Sequence, residues 1–158
     1  DELVEKVANT GLYLAKEFDG IKTLGGVIDY IYKRKIRVNI IEPTILYNYP
    51  AFLIPLARKN DKDNRIIDAF QILCVGNELA KAYSELVDPI IQRKELENQA
   101  KAKQEGDDEA MEIDEDFLLA MEHGMPPISG LGFGVDRLMT IVFDQESIRD
   151  VVLFPLMK

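Results

Sequence analysis

The chain has no tryptophan, one cysteine and one histidine among its 158 residues. A single thiol, Cys74, cannot build a disulfide framework, and this points to a reducing, cytoplasmic compartment. Set in an apolar run and remote from the one histidine, Cys74 reads as a small buried hydrophobe and not as a nucleophile. Basic residues are scarce as well: Lys and Arg number 19 against 28 Asp and Glu, a formal net charge of -9. Phosphate neutralisation needs clustered Lys and Arg, so this surface does not grip nucleic acid by itself, and any such contact has to be local. No apolar run is long enough to cross a bilayer, and the N-terminus is not signal-like, so no membrane role is expected. There are no internal repeats and no low-complexity tract. The chain begins with Asp1 instead of Met, which reads as a fragment of a longer protein.

What is present is enough for one core. With 47% apolar residues, the length argues for a single domain. The stretch that carries chemistry is Gly130-Leu131-Gly132-Phe133-Gly134-Val135-Asp136-Arg137-Leu138. Glycines at alternate positions let a backbone run close to a ligand or a neighbouring strand. Leu138, Ile141 and Val142 can share one face of a helix starting near Gly134, with Arg137 in its first turn. A guanidinium fork beside free N–H groups at a helix start suits a polyphosphate. The plainer alternative is a tight strand-to-helix turn with a surface arginine.

In chain order, residues 2–18 carry a mostly helical pattern interrupted near Gly11. Leu24 to Tyr32 reads as an amphipathic helix closed by Lys33-Arg34-Lys35, cations that favour the negative end of the helix dipole. Val38 to Ile41 is a short strand candidate, and Thr44 to Tyr49, bracketed by Pro43 and Pro50, is another extended stretch. Residues 59–65 form a charged surface loop. Ile66 to Val75 and Glu78 to Leu86 read as an antiparallel hairpin joined by Gly76-Asn77. Alternation puts Lys81, Tyr83 and Glu85 on one face of the return strand, which is either a site or a solvated surface. Asp88-Pro89 caps a helix running to about Glu105, with Ile90, Ile91 and Leu96 as its sparse apolar residues. Gly106-Asp107-Asp108-Glu109 is a solvated acidic turn. Asp114 or Asp116 caps the next short helix, which ends at His123 and Gly124; an imidazolium there favours the dipole. Ser147-Ile148-Arg149-Asp150 opens a last short element.

This order resembles a known family. Glu78 to Leu86, Asp88-Pro89, Gln92-Arg93, Gly106 to Met111, Asp114-Glu115-Asp116, His123-Gly124-Met125-Pro126-Pro127, Gly130 to Leu138 and Ile148 to Pro155 look like the C-terminal end of a class II lysyl-tRNA synthetase of bacterial type. Glu42-Pro43-Thr44, Tyr49-Pro50 and Pro55-Leu56-Ala57 extend the likeness more thinly upstream. The resemblance implies an α+β fold, an antiparallel sheet with flanking helices, in which residues 1–158 form the C-terminal portion of the catalytic domain and 130–138 its motif 3. Motif 1, motif 2 and the anticodon-binding domain are not in this sequence.

The same resemblance implies an intact protein that activates lysine with ATP to lysyl-adenylate and transfers it to tRNA(Lys), as a homodimer. Carried over residue by residue, it assigns Arg137, Gly132, Gly134, Glu78 and Gln71 to ATP, Glu78 to Mg2+, and Glu85, Tyr83 and Lys81 to lysine, with Glu85 neutralising the ε-ammonium. Departures are visible. Gln71 stands where the family usually has a second magnesium-binding Glu, Lys81 where Asn is usual, and Ile54 where Ser is common. Together the first two make the site more positive by two charges, so either Lys81 stands in for a metal ion at ATP phosphate or Glu78, or Lys81 is a solvated strand residue and Gln71 a harmless swap. Glu78 and Lys81 differ by an odd number, so a shared face requires a bulge within 78–81. Two other functions fit: a related ligase that moves an activated lysine onto a protein, and a non-catalytic binding module.

Overall fold

The computed structural model describes residues 24–104 and 111–155. The expected helical pattern over residues 2–18 and the acidic turn at 106–109 lie outside them. Contacts divide the chain into two compact units, one running to Thr44 and including Leu73–Asn77, the other holding Ile45–Ile72 and everything from Glu78 onward. In the first, helix α1 (Leu24–Ile31) passes into a π turn over Tyr32–Ile36 that carries the three expected exposed cations. Lys33 turns back to Asp29 at 2.7 Å. The strand expected at Val38 to Ile41 is instead a 3-10 turn, Arg37–Asn39, followed by residues without regular structure. Its extended carbonyls at Ile40 and Ile41 accept from Gly76 and Val75 at 2.8 and 3.0 Å, so a hairpin tip takes the bonds that a strand would have needed.

Strands β1 (Thr44–Tyr47), β2 (Ala69–Cys74), β3 (Asn77–Ser84) and β4 (Ser129–Phe133) make one sheet in that order. The β2–β3 hairpin is present, but its turn is Val75-Gly76, one residue earlier than expected. Both residues have positive φ, 48° and 70°, which is the primed geometry that matches strand twist. Asn77 lies in β3 and braces the turn by donating from Nδ2 to the Val75 carbonyl at 3.0 Å. Cys74 is half-buried, not fully buried as expected, and its thiol lies 3.7 Å from the Ile41 carbonyl.

In the second unit, Ala51, Ala57 and Ile67 form a buried cluster that Tyr49, Ile54, Ala69 and Tyr83 pack against. Helix α2 (Pro89–Gln104) starts as expected: Asp88 Oδ1 accepts from the backbone of Ile90 and Ile91. Its buried residues are Gln92 and Leu96, four apart on one face, while Ile90 is 80% exposed. Of the three apolar residues only Leu96 is buried, and the polar Gln92 is buried with it. Helix α3 (Glu115–Glu122) is capped by Asp114, buries Leu118 and Met121, and meets α2, where Arg93 grips Glu115 bidentately at 2.8 and 2.9 Å. His123 ends α3 with Nδ1 2.8 Å from the Leu119 carbonyl, the structural place expected for it. The 59–65 loop is exposed and charged as expected, with Arg65 holding the Asp63 carboxyl down to about 2.

Candidate active site

Two adjacent strands build the site. β3 and β4 pair antiparallel with Lys81 opposite Gly132 and Tyr83 opposite Gly130. Directly paired residues share a face, so two glycines without side chains lie beside the two β3 residues that carry them. Gly134 then leaves the strand, donating to the Leu79 carbonyl at 2.7 Å, and helix α4 (Val135–Val142) begins. Its first turn holds Arg137 as expected, whose Nη1 donates to the Glu78 carbonyl at 2.9 Å. A β-carbon at Gly134 would press within 3.3 Å of Arg137 Cδ, so glycine there lets the arginine stem fold back toward β3. Leu138 and Ile141 are half-buried, but Val142 is 62% exposed and lies off that face.

The Glu78 carboxylate accepts from Gln71 Nε2, and Gln71 Oε1 accepts from the Tyr49 hydroxyl. Gln71 is only 3% exposed, with both ends of its amide engaged. Such a buried amide needs both bonds, because an unmet one carries its full desolvation cost. Lys81 Nζ stands 5.7 Å from the centre of the Tyr49 ring, within reach of a cation–π attraction. Among the described residues it is Gln71, and not Lys81, that contacts the Glu78 carboxylate. Tyr49 carried no chemical signal in the sequence. It entered only as the end of an extended stretch and as part of Tyr49-Pro50, and its link to residue 71 is across 22 positions.

Glu78 bonds Gln71 and Lys81 stands over the Tyr49 ring, from positions three apart on β3. From Cys74 back to Asp68 is six steps and from Asn77 to Ser84 seven, yet Cys74 and Asn77 flank the turn and Ser84 donates to Asp68 at 2.8 Å. Between the turn and that bond the β3 side carries one residue more than the β2 side, and Asp68 lies in a bend just outside β2. Glu85 lies just past β3, its backbone bridged to Ala57 and its N–H donating to the Ile128 carbonyl at 3.1 Å. Glu78, Lys81 and Tyr83 thus stand on β3 with Glu85 just past it, Gly132 and Gly130 face Lys81 and Tyr83 from β4, and Gln71 and Arg137 reach Glu78 from β2 and α4.

A family model for class II tRNA synthetases (D, K and N) matches residues 12–158. Lysine–tRNA ligases from Shouchella clausii and Oceanobacillus iheyensis are each 48% identical, over 86% and 85% of this chain and 27% of their own length. One from Staphylococcus epidermidis is 45% identical over 92% of this chain and 30% of its own length. The chain thus spans between a quarter and a third of the length of these curated relatives. No described helix is long and apolar enough to cross a membrane. With the family pattern running unbroken from residue 12 to the last, through the glycine strand and the Arg137 helix, the chain belongs to the class II tRNA synthetases (D, K and N).

Proposed function

We propose that these residues are the C-terminal part of the catalytic domain of a cytoplasmic, homodimeric lysine–tRNA ligase, whose intact form makes lysyl-adenylate from lysine and ATP and passes it to tRNA(Lys). The observation that carries this reading is the bond from Arg137 to the Glu78 backbone carbonyl, which ties a phosphate-gripping cation to β3 beside the side-chain-free face of β4. Arg137 would hold ATP phosphate oxygens through its guanidinium fork, aided by the N-terminal end of α4. The bare backbone at Gly132 and Gly134 admits the nucleotide. At the far end, Glu85 would neutralise the ε-ammonium of lysine and Tyr83 would wall its pocket, since a desolvated cation needs a paired carboxylate.

Magnesium fits this site in a restricted way. A hard cation wants oxygen, and Mg2+ is commonly held by one or two carboxylates together with substrate phosphates. Glu78 supplies such a carboxylate, while Gln71 turns its N–H and not its oxygen toward it. Among the described residues no cluster of three His, Cys, Asp or Glu could hold a metal alone. Glu78 would hold the ion jointly with ATP, and the ion would offset phosphate charge. The residues of this chain would hold the ATP phosphates and the lysine side chain, so that in the intact protein the lysine carboxylate can attack the α-phosphorus in line.

The test is lysine-dependent ATP–pyrophosphate exchange and tRNA charging by the full-length protein. Both activities are expected there. Exchange without tRNA charging would favour a ligase that lysylates a protein, and neither activity would favour a binding module.

A further inference from the structure

We propose that Gly130 is a specificity-positioning residue: its missing side chain is the space in which the Glu85 carboxylate lies. A β-carbon built on Gly130 would overlap Glu85 Oε1 and come within 3.4 Å of Glu85 Cδ and 3.9 Å of Tyr83 Cε2. The other two glycines of the run differ. At Gly132 the nearest atom would be the Lys81 carbonyl oxygen at 3.9 Å, an ordinary contact, and at Gly134 it would be the Arg137 stem. Gly130 is also not required for backbone conformation, since among the described glycines only Gly76 and Gly124 have positive φ.

The Glu85 backbone cannot yield to such an intrusion. It is bridged to Ala57 on one side and bonded to Ile128 on the other, and the Ser84 carbonyl before it accepts from Arg58 at 3.0 Å. What can yield is the carboxylate, the far end of a flexible side chain. A methyl group at position 130 therefore leaves the fold intact and moves the charge that recognises the ligand. Glycine here acts on selectivity toward a cationic amino-acid side chain and not on the nucleotide half of the site, where Arg137 and Glu78 lie. The inference rests on the reading of Glu85 as the ε-ammonium partner, and the experiment separates the two.

In the full-length protein, lysine and ATP affinities are measured by titration calorimetry for Gly130→Ala, Glu85→Gln, Glu85→Asp and the Gly130→Ala/Glu85→Asp pair. Glu85→Gln weakens lysine at least tenfold if the reading of Glu85 holds; unchanged lysine binding there refutes that reading. Given that loss, Gly130→Ala is expected to weaken lysine tenfold or more with ATP affinity within threefold and an unshifted melting temperature. The shorter aspartate side chain at position 85 clears the added methyl, so Glu85→Asp costs much less in the Gly130→Ala background than alone. The proposal is overturned by unchanged lysine binding in Gly130→Ala, by equal loss of lysine and ATP, or by a fall in melting temperature showing that the backbone and not the carboxylate gave way. Additive effects of the pair do so as well.

Discussion

At position 71 a neutral amide sits between a tyrosine hydroxyl and a carboxylate, with only 3% of its surface exposed. The amide can donate to Glu78 with no cation present, whereas a carboxylate in its place would set two negative groups in contact. Such a pair ionises fully only with a metal ion or another positive charge beside it. Lys81, over the Tyr49 ring, keeps a positive charge in the same neighbourhood without touching Glu78. The expectation that Lys81 pairs with Glu78 is therefore replaced by a relay through Gln71, while its partnership with ATP phosphate stays a proposal. We predict that Gln71→Glu or Lys81→Asn alone impairs ATP use by the full-length protein, and that the pair restores it with a several-fold higher magnesium requirement. A titration of exchange activity against magnesium checks this, and additive losses with an unchanged requirement would refute it.

At the scale of elements, the β2–β3 hairpin shows both what the residues announce and what they conceal. The β-branched run ending at Cys74 and the return from Glu78 mark two strands, and a glycine between them marks the turn. They do not say which two residues turn, because Gly76-Asn77 and Val75-Gly76 both contain the glycine. Docking on Ile40 and Ile41 decides it, and this contact forces Val75 to φ 48°. A β-branched residue pays for a left-handed conformation with about 1–2 kcal/mol. Asparagine tolerates that region, and Val75 is 48% exposed, so its apolar loss is small. Val75→Asn is accordingly expected to stabilise the protein by about 1 kcal/mol, a rise in melting temperature of roughly 2–4 °C for a chain of this size. A thermal melt measures it, and a fall would mean that the valine side chain is packed more tightly than its exposure indicates. The same limit explains helix α2: Asp88-Pro89 announced its start, but three sparse apolar residues could not reveal that Gln92 shares the buried face with Leu96.

For the whole chain, the candidate site was far more legible than its surroundings. Alternate glycines and an arginine in a first helical turn are local patterns with local chemistry, and the pairing of β4 with β3, which no local pattern announces, sets them beside Glu78, Lys81 and Tyr83. Cover is not a local property. Composition counts apolar residues without saying which of them find a partner, and here many do not: Leu153 and Phe154 are 90% and 91% exposed, and Ile45 and Tyr47 on edge strand β1 are 62% and 65% exposed. On the opposite edge strand, β4, Leu131 is 66% exposed. Unpaired strand edges bearing apolar side chains are sites of association, and the net charge of -9 opposes but does not cover them. The 158 residues by themselves are therefore expected to self-associate as concentration rises and, with motif 2 expected to lie outside them, to give no lysine-dependent exchange. Sedimentation velocity over a concentration series, run beside an exchange assay of the same preparation, tests both halves. A monodisperse monomer would show that these side chains are covered in solution, and measurable exchange would show that β3, β4 and α4 suffice to activate lysine.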